Sequence, residues 1–396
     1  MGGVHLGLAN EFEPTLRRLL DHDGPYRDPE SGAWFVARYD QVRAALADRR
    51  LLTRSSAHAT AHLDADQRAA VEPLEAHLRR WFVFSDEPAQ HRLRLAFRRA
   101  LAGSGRDREL ADGLAAAARR ATATRAAGGD LFATFVVPFT GAAVTAMLGT
   151  PDGDAARLTG WGERLLAYLG MDGFDPAVVD AAVGGLTALR DYYVEDYLHR
   201  GRGVVAETFR VAAADGAARE DLVAAFTQLL TGALEPSRTA LAEGIARVGD
   251  PAVAEAYRAR RTAFVSEVLR LATPFHFAPR RTAGPVEVGG RCIPAGTRVR
   301  LVLPAANRDP AVFPRPGLLD VTRPERRHLA FGWGRHVCVG TRVAEGIVAA
   351  GLDAVTASWP AGLTVRLGRT RTAGMTVATA LTACPPPSAP PERDRR

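Results

Sequence analysis

The chain has 396 residues, 47% of them hydrophobic and 24% charged, a balance that excludes a mainly disordered or collagen-like polymer. Its length accommodates several ordinary domains or one large enough to enclose a cofactor. All 51 basic residues are arginine, for a formal charge of +7, but they are scattered and not interleaved with aromatics, which argues for a solvated surface over a nucleic-acid interface.

Cys292, Cys338 and Cys384 are too few and too far apart for a disulfide scaffold or a CxxC metal site. They suit a reducing compartment, and a cytoplasmic location is expected. The first residues hold no basic stretch followed by an apolar run, so no secretory signal is predicted. Residues 131–151 carry no charge, but Pro138, several threonines and two glycines interrupt them. They read as a buried core helix, not a membrane span.

In chain order, AWFVA at 33–37 alternates weakly and reads as a strand, and a helix follows from Tyr39. Apolar residues recurring at three and four predict helices over 89–102, 107–127, 131–149, 155–169, 176–200, 204–214, 219–248, 251–258 and 259–272. Between Val286 and Leu303 the period shortens to that of strands broken by Gly289-Gly290 and Pro294-Ala295-Gly296. A helix over 341–358 and two closing strand-like segments complete a mostly helical chain with small β portions. No linker interrupts it, so residues 1–384 are expected to form one large domain. The tail over 385–396, PPPSAPPERDRR, cannot bury apolar area and is expected to be disordered or extended.

The most informative segment is FGWGRHVCVG at 331–340. A thiolate at Cys338, as metal ligand, needs stabilisation, and the helix starting at Thr341 offers free N–H groups and a positive dipole end. Gly332, Gly334 and Gly340 let backbone approach a flat cofactor. Phe331 can shield the sulfur, and His336 can hydrogen-bond an acidic cofactor group.

These ten residues resemble the haem-binding loop of the cytochrome P450 family at every defined position. The resemblance covers nearly the whole chain. It implies a mainly α fold with small β-sheets and haem b (iron protoporphyrin IX) with Cys338 as the iron ligand. It assigns Glu267 and Arg270 of EVLR, with Arg323 as their partner (Arg326 as substitute), to holding the fold beneath the haem. It assigns Arg280 and His336 to the haem carboxylates. DEPAQHRLRLAF from Asp86 supplies Arg94 and, one position late where Gln90 holds the usual place, His91.

Along helix 219–248 the family's oxygen-binding motif aligns with Gly232-Ala233-Leu234-Glu235-Pro236-Ser237. The acid is present as Glu235, but Pro236 replaces the usual Thr. Proline has neither hydroxyl nor N–H; inside a helix it frees the carbonyl of Gly232 and favours a kink. Ser237 is the candidate for the missing hydroxyl. Ala233, Phe275 and Phe277 are candidate substrate contacts.

The resemblance implies dioxygen activation with electrons from a ferredoxin and ferredoxin reductase fed by NAD(P)H. The oxidation of a small organic molecule follows, by hydroxylation or epoxidation in tailoring a natural product. Oxidative coupling of carbon to carbon or heteroatom without oxygen insertion is the alternative that Pro236 keeps open, and a non-catalytic haem-binding recruitment or sensing module is a third. Arg335 and Arg342 are candidates for the face that meets an acidic ferredoxin. No nucleic-acid or membrane partner is expected.

Overall fold

The computed structural model describes residues 3–383 apart from 54–59, 61–62, 87–90, 103–105, 125–129, 172, 325–326, 360–364 and 373. The tail, Gln90 and Arg326 lie outside the described residues.

Two N-terminal helices, α1 (Val4–Asn10) and α2 (Phe12–Asp21), open the chain. In α2 the buried residues Phe12, Thr15, Leu16, Leu19 and Leu20 fall on one stripe of helical spacing. Strands β1 (Tyr26–Arg27) and β2 (Trp34–Val36) follow, then α3 (Tyr39–Ala47) and β3 (Leu51–Thr53). Helix α4 (Ala65–Leu78) begins in a capping box, in which Asp64 accepts from Gln67 N–H and the Gln67 side chain accepts from Asp64 N–H.

The helical body comprises α5 (His91–Ala102), α6 (Arg106–Thr124), α7 (Val137–Leu148), α8 (Ala155–Leu169), α9 (Pro176–Tyr192), α10 (Leu198–Arg200) and α11 (Gly203–Ala214). At its centre lies α12 (Arg219–Val248), followed by α13 (Pro251–Ala259) and α14 (Arg261–Ala272). The expected helix over 131–149 opens in a π-turn, Phe132–Val136, and that over 176–200 contains another, Tyr193–Tyr197. No helix among the described residues is long and apolar enough to cross a membrane.

Helix α12 is apolar nearly all round: Phe226, Leu230, Leu234, Leu241 and Ile245 are all buried. A helix of that kind belongs in the interior, and α7, α8, α14 and α16 (Thr341–Ser358) pack around it. It remains helical through Pro236.

Beside this body lies a five-stranded sheet in the order β1-β2-β7-β4-β3, where β4 is Phe277–Thr282 and β7 is Arg298–Val302. Hairpins β5–β6 (Val286–Val288, Arg291–Ile293) and β8–β9 (Val365–Arg371, Thr376–Ala383) stand apart from it. The short helix α15 (Leu303–Ala306) leaves β7.

The parity of β4 decides the fate of two expected site residues. Successive side chains alternate across a strand, so Phe277 and Arg280 face opposite sides. Phe277 packs with the cluster of α1, α2 and Ala33, under the Arg300 guanidinium at 4.5 Å. It is a packing residue of the sheet's far face, not a neighbour of the Arg280 side. Phe275, just before β4, is 45% exposed and bridges Met375.

Candidate active site around Cys338

The segment before α16 is a closed loop. Gly332 and Gly334 both adopt φ of +70°, which side chains with a Cβ rarely tolerate. At Gly334 a Cβ would also stand 3.1 Å from Leu46 O. Cys338 N–H donates to Phe331 O at 2.8 Å and Val337 N–H to Gly334 O at 3.2 Å. Gly340, by contrast, has an ordinary φ of −94°, and a Cβ there would sit 3.9 Å from the Cys338 sulfur. Its absence of side chain keeps the space beside the sulfur open.

Cys338 is exposed, yet desolvation by the surrounding protein raises its thiol, opposed by Gly340 N–H, the charge of Arg94 and the Thr341 hydroxyl. Exposure and desolvation coexist where a side chain opens into an internal cleft and not onto the outer surface. Gly340 N–H points at Sγ from 3.3 Å, a contact suited to the thiolate.

Arg94 on α5 is buried, and its guanidinium donates to two carbonyls of the loop, Arg335 O at 2.8 Å and Val337 O. It therefore clasps the cysteine loop through Nε and Nη2, and a guanidinium's five N–H donors leave others for the expected contact with a cofactor carboxylate. His91 lies exposed at the start of the same helix.

His336 is largely buried, and its Nε2 lies 3.2 Å from Asp86 Oδ1. Burial lowers the imidazole while the Asp86 hydrogen bond opposes it. Asp86 also accepts from Thr53 N–H at 2.9 Å and from Thr53 Oγ1 at 3.0 Å, and lies 3.3 Å from Arg335. Burial alone would push this carboxyl up; the His336, Thr53 and Arg335 contacts instead hold it at about 2. Arg335 is thus turned inward, also donating to Leu51 O at 3.0 Å. It is not available to a docking partner as expected, whereas Arg342 is exposed.

Arg280 is 7% exposed and donates to Pro279 O at 2.9 Å, with no ion pair among the described residues. Desolvation, with Arg335 nearby, depresses its pKa to about 10. A buried guanidinium without a carboxylate is costly unless something anionic meets it.

The structure brings Glu267, Arg270 and Arg323 together. Arg270 grips Glu267 with Nε and Nη2 at 2.6 and 2.9 Å, and Arg323 Nε lies 3.3 Å from the same carboxylate. Arg270 also donates to Asn307 O at 2.9 Å, and the Asn307 side chain accepts from Leu329 N–H at 2.6 Å. A continuous set of bonds therefore runs from α14 to the base of the cysteine loop.

On α12, Gly232 is exposed although the helix is central, and no atom lies within 4 Å of where its Cβ would stand. Ala233 and Pro236 are half-buried beside it, while Ser237 is buried at 3% exposure. The opening thus follows the Gly232–Pro236 face, and Ser237 belongs to the packed side, which argues against it as the replacement hydroxyl. Glu235 has 15% side-chain exposure, and its Oε1 is buried without a hydrogen-bond partner. Burial raises its carboxyl, with Arg238 opposing.

Three of these groups fit a planar anionic cofactor: an open sulfur, a buried unpaired Arg280, and a vacant face on α12. The sequence reading missed Asp86 as the partner of His336, Asn307 as the link to the loop, and Arg238, whose i,i+3 spacing from Glu235 was visible.

The sequence profile of the cytochrome P450 family matches residues 261–354. The cytochrome P450 monooxygenase PikC of Streptomyces venezuelae is 31% identical over 365 residues, 87% of this chain and 83% of that protein. Biflaviolin synthase of Streptomyces coelicolor is 31% identical over 84% of this chain and 82% of its own. The tirandamycin C-bound P450 monooxygenase TamI superposes with a TM-score of 0.79 at 25% identity, covering 96% of this chain and 98% of that one.

Proposed function

The chain belongs to the cytochrome P450 family of oxidoreductases, and on that footing we propose that it is a haem b monooxygenase hydroxylating or epoxidising a natural-product intermediate. The observation that carries this reading is the open Cys338 sulfur, held by a loop whose two glycines have left-handed backbone, in a chain whose central helix has a vacant face at Gly232.

Cys338 is the iron ligand. Arg280 and His336 face the cofactor's carboxylates, and Phe331 and Gly332 form the loop that lies against it. Bound there, haem supplies the reductive activation of dioxygen. The protein's own part is positional. Gly340 N–H and the Arg94 charge favour the thiolate over the thiol. Arg94 and the Glu267–Arg270–Asn307 bonds hold the loop in register with α12. Gly232, Ala233 and Pro236 leave room for substrate, and Glu235 is the acid beside that room.

Electrons come from an acidic ferredoxin and its NAD(P)H-dependent reductase. It docks where α5 presents the exposed Arg92 and Arg98, near Arg342, attracted by opposite charge. A cytoplasmic location suits those partners.

A second reading, oxidative coupling without oxygen insertion, is favoured by one feature. Pro236 stands where the family places a hydroxyl, and Ser237 is packed away. Its relative's name, biflaviolin synthase, is consistent with that class.

Turnover with labelled dioxygen separates the two. One labelled oxygen in the product supports monooxygenation; loss of two hydrogens with no label supports coupling. Cys338→Ser should abolish the long-wavelength Soret band of the reduced carbon-monoxide complex, and its retention would overturn the ligand assignment.

A further inference from the structure

We propose that Glu163 on α8 governs whether Glu235 on α12 holds a proton, acting through Arg238, a guanidinium that both acids share. This rests on Glu235 being the acid beside the cofactor and deepens that reading. It names a positioning residue outside the motif.

Arg238 is buried, with 6% side-chain exposure. Its Nη2 lies 2.7 Å from Glu163 Oε1, while its Nη1 lies 3.6 Å from Glu235 Oε2. The division is unequal: the outer acid, 46% exposed, holds the hydrogen bond, and the inner acid, 15% exposed, receives only the longer contact. Two buried atoms remain without partners, Glu235 Oε1 and Arg238 Nε. An ionised carboxylate in that setting keeps one buried oxygen unpaired. The neutral acid is the form that such a setting favours.

Among the described residues, three groups act on the Glu235 carboxyl. From its own helix come Arg238 and the Thr239 hydroxyl, and from α8 comes Glu163. Thr239 Oγ1 accepts from Ala378 N–H of β9 at 3.0 Å, and its hydroxyl lowers the Glu235 carboxyl as the smallest of these influences. The next acid along α12, Glu243, is engaged by Arg247 and Arg369 and takes no part. Burial raises the Glu235 carboxyl first; Arg238 lowers it by charge and hydrogen bond, and Glu163 raises it by charge. Glu163 therefore acts twice in one direction: it withdraws Arg238, and it adds a second negative charge. Any displacement of α8 that parts Glu163 from Arg238 lets the guanidinium close on Glu235 and draws the proton off.

The test is an infrared pH titration of the haem-loaded protein carrying carboxyl-labelled glutamate. The Glu235 band is identified by its disappearance in Glu235→Gln. Glu163→Gln should lower the titration midpoint, by about one pH unit for an opposite charge brought to hydrogen-bond range. Arg238→Met should raise it, and Glu163→Asp should stay near the parent protein. Should Arg238→Met fail to fold, Glu163→Gln is paired with Arg238→Lys, which keeps the charge and should not raise the midpoint. Midpoints that move in the same direction in Glu163→Gln and Arg238→Met, or that do not move in Glu163→Gln, overturn the proposal. The titration is read without turnover, so its outcome is separate from the labelled-dioxygen assay that decides the monooxygenase reading.

Discussion

Arg270→Met removes the centre of the bond set that joins α14 to the cysteine loop. Arg270 is 1% exposed and makes a forked pair with Glu267 as well as bonds to Asn307 O, Pro316 O at 2.8 Å and Leu318 O at 3.0 Å. Methionine matches much of the stem but supplies none of these donors. Glu267 would keep only Asp320 N–H at 3.0 Å and Arg323. Breaking one side of a buried pair costs about 3–5 kcal/mol, a large share of the roughly 5–15 kcal/mol that keeps a protein folded. Denaturant unfolding should show the unfolding free energy falling by that amount at neutral pH, with the midpoint lowered by that amount divided by the m-value. The double variant Glu267→Gln/Arg270→Met should lose less than the two single losses together, because the two residues share one interaction that each single change already removes; Arg323 alone is left without its carboxylate. The pH dependence follows from Glu267. Burial alone would raise its carboxyl, but the Arg270 fork, the Asp320 N–H and the two arginine charges hold it below the usual value of 4.5. Its contribution is complete above that value and is lost as pH falls through the lowered one. The cost of Arg270→Met should therefore shrink in acid. A neutral-pH cost below about 1 kcal/mol, the range of an exposed ion pair, or a cost that does not change in acid, would refute the argument.

Arg280→Met should stabilise the cofactor-free protein, on the order of 1–3 kcal/mol, because an unpaired buried cation is removed. It should also weaken haem retention, measured by transfer to apomyoglobin; tighter retention would overturn its role. Gly232→Ala should raise stability by about 0.5–1 kcal/mol, the helical advantage of alanine, since its Cβ meets nothing. Gly232→Leu should fill the opening and abolish substrate-induced spin shifts without unfolding the protein, and unchanged shifts would place the substrate elsewhere. Asp86→Asn should destabilise the protein at neutral pH and erase the stability that the parent loses as pH falls from about 4 toward about 2; acid unfolding curves that superpose would show that the His336 pairing carries no energy.

What was legible in the sequence was local. The spacing of apolar residues along α12 and α16 marks both helices. The paired glycines around the cysteine mark a loop that only left-handed backbone can close. Failures of reading have physical causes. Helix α2 shows its buried stripe in residues such as Phe12 and Leu16, but it is short and broken from α1 by one residue. Helix α4 carries a capping box at Asp64 yet contains Pro73, which reads as a breaker. Strands of two or three residues such as β1 and β3 have too few positions to reveal a period, and their partners are distant: β3 pairs with β4 across more than two hundred residues.

The site residues follow the same division. Glu267 and Arg270 meet because three positions on a helix share a face. The fate of Phe277 depended on strand parity, and the start of β4 had to be known before Phe277 and Arg280 could be set on opposite faces. Arg94 was read as a donor to a carboxylate from its charge and its place in the motif; its two bonds to loop carbonyls are a second task that depends on packing and that no motif announces. Asp86 and Glu163 are harder still, because each acts on a residue from a distant segment: His336 lies 250 positions from Asp86, and Arg238 lies 75 from Glu163. A motif reports which groups a reaction uses. The charges that set their protonation arrive by packing, so in this chain the control of Glu235 had to be sought on the helix laid across it.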